Sequence, residues 1–208
     1  MLRTWRRVTD RRRHAHGRYG WLFHPYTGDE LVALGCQTTG ANARTAEPVA
    51  IAAVRLRRER VLTSESLDLR LERPASLDGG AICRHGLRGI DLDDGESIDE
   101  VLAQLLDFVG NRPLVGWRLD FELALLNRYL RPRFGFDLPN AGIDVAQVYQ
   151  RRQRHHHPQL DTPPRFEQVA ERLGVPLMGR HSALGVAVTT ALMHLHLARE
   201  GQPPRLMS

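Results

Sequence analysis

Hydrophobic positions in the first half of the chain run together or recur every second residue, and in the second half they recur every three to four. Residues 31–36 (LVALGC) form an apolar run of buried-strand length. Residues 48–57 (PVAIAAVRLR) and 61–71 (VLTSESLDLRL) read as two more strands. In the last of these Leu67, Leu69 and Leu71 alternate with Asp68 and Arg70, the period of a half-buried strand. The link Arg58-Glu59-Arg60 is short enough for a hairpin, so the three strands predict an antiparallel meander.

The period changes at Ser97, which with Glu100 has the spacing of a capping box. Val101, Leu102, Leu105, Leu106, Phe108 and Val109 then make one helix face, closed by Gly110. Residues 113–116 predict a short strand, 121–130 a helix stopped by Pro132, and 142–145 a fifth strand. Residues 150–164 hold Arg151, Arg152, Arg154, the run His155-His156-His157 and three prolines, and read as a solvated basic loop. Two helices follow, from about residue 164 to 173 and from 182 to 199. Three strands, helix, strand, helix, strand and helices is an α/β order, and it matches a ribonuclease-H-like fold: a mixed central sheet flanked by helices.

At 208 residues and 42% hydrophobic, the chain can bury one core of ordinary size. The expected organisation is a basic N-terminal extension over residues 1–30, one α/β domain over 31–200 and a tail over 201–208. The extension carries Arg6, Arg7, Arg11, Arg12, Arg13 and Arg18 between Trp5 and Trp21. It reads as a partly helical arm packed through its tryptophans, with a basic arm for nucleic acid or a partner as the other reading. The formal charge is +5, and all 29 basic residues are arginine. Such a charge is compatible with phosphate binding without requiring it. Two cysteines, Cys36 and Cys83, make no disulfide framework, and no apolar run reaches membrane-spanning length. A cytoplasmic protein with no membrane partner is the expectation.

Several separate blocks in a common order carry a resemblance. Gly35-Cys36-Gln37-Thr38-Thr39-Gly40 resembles the first motif, Asp-x-Glu-Thr-Thr-Gly, of the DEDDh 3′–5′ exonucleases, the family of the proofreading epsilon subunit of bacterial DNA polymerase III. Ile82-Cys83-Arg84-His85-Gly86 is similar to its Ile-His-Gly segment. Residues 114–122 (LVGWRLDFE) resemble its Leu-Val-Gly-His-Asn-x-x-Phe-Asp, with Trp117 and Arg118 in place of His and Asn. Residues 180–187 (RHSALGVA) resemble Arg-His-x-Ala-Leu-x-Asp-Ala.

The resemblance implies an exonuclease fold whose metal-binding carboxylates are replaced. Gly35 stands for Asp, Gln37 for Glu and Val186 for the last Asp, leaving only Glu122, one methylene longer than the family's Asp. Two divalent ions 4 Å apart repel by roughly 4 kcal/mol with the screening of water and about 17 at an effective dielectric of 20. Four carboxylates offset that repulsion in the family, and one cannot. No cofactor is therefore expected. His181, at the general-base position, faces water without a metal to lower its pKa. The implied function is binding without hydrolysis, of a single-stranded 3′ end or of a partner protein. Candidate contacts are Thr38, Thr39, Gly40, His85, Arg118 and Phe121. The alternative is a weakly active exonuclease that uses Mg²⁺ or Mn²⁺ through rearranged ligands such as Glu122, Asp120 and Gln37. Asp29 and Glu30 lie at the other end of the first strand. Returning carboxylates to positions 35, 37, 122 and 186 together is expected to confer cleavage if the groove is intact.

Overall fold

The structure is a computed structural model that describes residues 2–74, 94–156, 164–179 and 181–199. Its element order is α1 (Leu2–His14), a 3₁₀ turn (Gly20–Phe23), β1 (Glu30–Thr38), β2 (Pro48–Arg57), β3 (Arg60–Arg70), α2 (Ile98–Val109), β4 (Leu114–Gly116), α3 (Leu119–Phe134), β5 (Gly142–Asp144), α4 (Val145–His156), α5 (Phe166–Arg172) and α6 (Ala183–Arg199). The five strands make one sheet in the order β3-β2-β1-β4-β5. The first three are an antiparallel meander, and β4 and β5 run parallel to β1.

Alternation along the strands divides the core between the two faces of the sheet. Val32, Leu34, Ile51 and Ala53 point to the face covered by α2 and α3. Ala33, Val54, Leu56 and Val115 point to the face covered by α4, α5 and α6. On α6 the sheet-facing positions Ala183, Ala187 and Ala191 are four residues apart and fully buried. Ala183 meets Ala50 and Ala52 of β2, while Ala187 and Ala191 pack in the cluster that holds Ala33 and Val54. Small residues on both sides let α6 lie close to the strands, and this approach shapes the site described below.

Three expectations are corrected. The 150–164 loop begins later than its composition suggests, because α4 continues through His156. The helix around Pro132 is not stopped there: α3 extends to Phe134 and ends at Gly135 in the left-handed conformation. A proline this near the C-terminus costs little, since it removes only one hydrogen bond from the last turns. The N-terminal arm is a helix fixed by polar and ring contacts. Buried Asp10 of α1 pairs with Arg131 at 2.7 Å, and Arg131 also holds Asp137 at 2.8 Å. His14 stacks on Phe23 and meets the edge of Phe136. Trp21 instead lies at the surface, donating its indole N–H to the Arg18 carbonyl. The capping box at Ser97 and Glu100 forms as expected.

Glu30 closes the far end of β1. Its carboxylate accepts from Arg57 Nε at 2.9 Å and from Arg112 Nε at 2.7 Å, tying β1 to β2 and to the lead-in of β4. These two guanidinium groups hold its pKa below the ordinary glutamate value against the opposing effect of burial. A carboxyl whose folded-state pKa is depressed stabilises the fold fully above the unfolded pKa, and loses that contribution as pH falls through the folded value. Glu30→Gln is expected to destabilise the protein by about 2 kcal/mol at pH 7. The gap between wild type and variant should close as pH drops below the ordinary glutamate range, as read by thermal unfolding at each pH.

Candidate functional site

A cleft of about 340 Å³ opens at the carboxyl ends of β1 and β4, where α3, α5 and α6 converge. This is the end of a parallel arrangement at which α/β proteins place their ligands. Each wall follows from local sequence. Trp117 leaves β4 and meets Phe166 of α5 edge to face, with ring centroids 5.3 Å apart. Phe121, one turn into α3, lines the same space. Leu177 and Met178 close it from the segment before α6, which is tied down where Thr189 accepts the Met178 N–H at 2.9 Å. Aromatic and aliphatic groups thus dominate, with Gln37, Thr38, Arg118 and Glu167 at their margin.

The loop after β1 is held rigidly. Thr38 donates its hydroxyl to the Gly40 carbonyl at 2.8 Å. Thr39 and Glu47 exchange backbone and side-chain hydrogen bonds at 3.0 Å. Arg128 of α3 clasps the carbonyls of Arg44 and Ala46. Thr38 and Gly40 therefore face the cleft, whereas Thr39 is buried in holding the loop.

The positions that resemble metal-ligand positions are filled in ways a sequence alone does not reveal. A Cβ on Gly35 would lie 2.8 Å from the Ala187 nitrogen and closer still to the Ala183 carbonyl oxygen. Real side chains do not tolerate such contacts with backbone, so any residue larger than glycine must push α6 away. A carboxylate at position 35 would therefore have to displace α6 before it could help to rebuild a site. Gly185 is equally constrained, against the backbone carbonyls of Met178 and Gly179.

Glu122 is buried at 4% exposure, and its Oε2 has no hydrogen-bond partner. Burial pushes its pKa well up, the nearby Asp144 carboxylate adds to the rise, and the Cys36 N–H opposes it. Oε2 sits 2.5 Å from where a Cβ on Gly116 would be, so Gly116 is the space into which the longer side chain folds. The Cys36 thiol is likewise pushed up, first by burial and then by Glu122, which keeps it in the unreactive protonated form. Asp144 accepts the Gln147 N–H at 3.1 Å at the start of α4. Burial raises its pKa; N–H donors from Gln147, Arg118 and Leu119 oppose this, and Asp120 adds to the rise.

These groups do not fit a pair of divalent ions. Among the described residues no cluster of three or more His, Cys, Asp or Glu is placed to hold a metal. Val186 offers hydrocarbon, and Gln37 one neutral oxygen. His181 is exposed just ahead of α6 and is not among the described residues lining the cleft. His85 lies outside the described residues.

Arg118 occupies the cap position of α3 with φ 55° and ψ 51°, a left-handed conformation in which a long side chain is strained and asparagine is tolerated. That explains physically why asparagine suits this position in the motif. Phe166, Leu177 and Met178 were not identifiable as cleft residues from local pattern, since only the packing of α5 and α6 brings them there.

The comparisons agree with the geometry. The exonuclease model of the RNase T family matches residues 32–192, and the chain belongs to this family of DEDDh-type 3′–5′ exonucleases. Among sequences, it is 28% identical over 166 residues to the PolC-type DNA polymerase III of Clostridium perfringens, covering 78% of this chain and 11% of that protein. The PolC-type polymerase of Thermotoga petrophila is 26% identical over 165 residues, covering 79% of this chain and 12% of the relative. The chain thus spans about a tenth of the length of the curated relatives it matches. Among solved structures, cell-death related nuclease 4 (CRN-4) superposes with a TM-score of 0.68 at 16% identity, over 86% of this chain and 66% of that one. E. coli exonuclease I in complex with a dA16 oligonucleotide gives 0.68 at 18% identity, over 82% and 41%. The ribonuclease-H-like fold is established.

Two outcomes follow from this geometry. Gly35→Ala should destabilise the protein by about 3 kcal/mol, since backbone on both sides must move; urea unfolding measures it. Arg118→Asn should instead stabilise by about 1 kcal/mol by relieving the left-handed strain, read in the same assay.

Proposed function

We propose that this protein is a non-hydrolytic member of the exonuclease family that holds a single-stranded 3′ end in its aromatic cleft. The observation that carries the reading is the contrast at β1: position 35 is closed against α6, while the cleft beside it stays open and keeps Phe121, Trp117 and Phe166 at its walls. Base stacking on such side chains is worth about 1–3 kcal/mol per base and needs no metal. Burial disfavours the charged form of Glu122, which lowers the repulsion a carboxylate would exert on phosphate, and Arg118 at the mouth supplies a guanidinium suited to it. E. coli exonuclease I, similar in fold, has been solved with an oligonucleotide, which favours nucleic acid over a protein as the occupant. A cytoplasmic location is part of the same proposal, and no helix among the described residues is long and apolar enough to cross a membrane.

The test pairs cleavage with binding. A 5′-labelled single strand incubated with Mg²⁺ or Mn²⁺ should release no nucleotides beyond the level given by His181→Ala and Glu122→Ala. Cleavage by wild type that both variants lose would replace this reading with that of a working enzyme. Binding of the same strand by fluorescence anisotropy should weaken roughly tenfold in Trp117→Ala, the loss expected for one stacking contact.

A further inference from the structure

The opposite end of the sheet carries a second cavity, of about 400 Å³. It lies where α1 and the segment after the 3₁₀ turn meet the residues leading into β4 and β5. Pro113 borders this cavity and Trp117 borders the cleft, at the two ends of β4. The two sites are therefore separate, roughly 13 Å apart along that strand.

The floor of the second cavity is apolar, built from Leu22, Phe23 and Pro113 among others. Its rim is cationic. Arg7 and Arg11 of α1 both line it, one helical turn apart. Side chains at that spacing are neighbours on a helix surface, and like charges there disfavour the helix unless an anion joins them. Among the described residues neither guanidinium has a hydrogen-bond or ion-pair partner. Burial lowers the Arg7 pKa, and no acidic group offsets the effect. The acids nearby are already engaged: Asp10 of the same helix is held by Arg131, and Glu30 is held between Arg57 and Arg112. Asp29, exposed, pairs with Arg58.

Two guanidinium groups one helical turn apart, at the rim of an apolar floor, match a ligand that joins one compact anion to one flat ring. Guanidinium binds phosphate in a two-point fashion, and proline and aromatic surfaces accept a base. We propose that this cavity is a binding site for a nucleotide, with Arg7 and Arg11 on its phosphate and the apolar floor under its base or sugar. The nucleotide is either one unit of a single strand or a free mononucleotide, since both present the same chemistry. The site stands apart from the cleft and does not depend on the function proposed for it.

Anisotropy of a fluorescein-labelled oligothymidylate, titrated with the full chain over a range of salt concentrations, tests the site. The variant Arg7→Gln/Arg11→Gln removes both contacts while keeping good helix formers on α1. Its control is Arg12→Gln/Arg13→Gln, which removes the same charge from exposed positions that do not line the cavity. The first variant should bind roughly tenfold more weakly, and its log–log salt slope should be shallower by about 1.4, the value for two single-strand phosphate contacts. The control should stay within about twofold of wild type, since exposed charges away from the contact are screened by salt. Thymidine monophosphate added as competitor then assigns the source. Displacement of the component that depends on Arg7 and Arg11 identifies a site for free nucleotide, and no displacement identifies a site for a strand. Equal losses in the two variants would reduce the effect to a diffuse basic surface and overturn the proposal, as would unchanged binding in Arg7→Gln/Arg11→Gln. Phe121→Ala, measured alongside, keeps the two sites apart. Loss there with full binding in Arg7→Gln/Arg11→Gln would overturn this proposal and leave the cleft reading in place.

Discussion

The approach of α6 to β1 governs this molecule. The helix lies over the sheet with Ala183 against Ala50 and Ala52 and with Ala183 and Ala187 against Gly35, where backbone meets backbone. Dense packing of small residues leaves no space for water or side chain between the two elements. From this one contact follow the position of Val186 at the cleft, the anchoring of Met178 over its edge, and the loss of room where a ligand-bearing side chain would stand. The cleft remains open because its other walls, Trp117, Phe121 and Phe166, are too bulky to follow the helix inward.

Much of this was legible in the sequence, and for identifiable reasons. The strand meander, the capping box at Ser97 and the short strand at 113–116 each rest on a local signal: alternation, a cap spacing, an apolar run between turns. The family was legible because the motif blocks keep their order and spacing even where their charges are gone. What pattern could not supply is what depends on distance between elements. Nothing in residues 31–40 says that Gly35 is glycine because a helix lies against it. Glu122 reads as a retained charge, and only its burial turns it into a carboxyl that resists ionising. Thr39 belongs to the same motif as Thr38, yet the turn of the chain assigns it to the loop and its neighbour to the cleft.

The N-terminal helix was legible only in part. Its composition drew attention to tryptophan as the anchor, because large aromatic residues dominate burial in most contacts. A polar anchor is Asp10, a single acid in a row of arginines, which finds Arg131 across the interface, beside ring contacts of His14 and the buried Tyr19, Leu22 and Phe23. A lone residue of contrary sign in a charged helix is a signal that hydrophobic periodicity overlooks. Its effect is to turn the remaining arginines outward or toward the second cavity.

The same closeness at Gly35 bears on how such a protein changes over generations. With glycine on the strand, alanines on the facing helix pack into the space that a larger strand residue would need. A larger residue at position 35 alone meets a partner surface without room for it, so its effect depends on which residues stand on α6. Change at this position is therefore epistatic: the tolerance of one strand residue is set by a helix about 150 positions further along the chain.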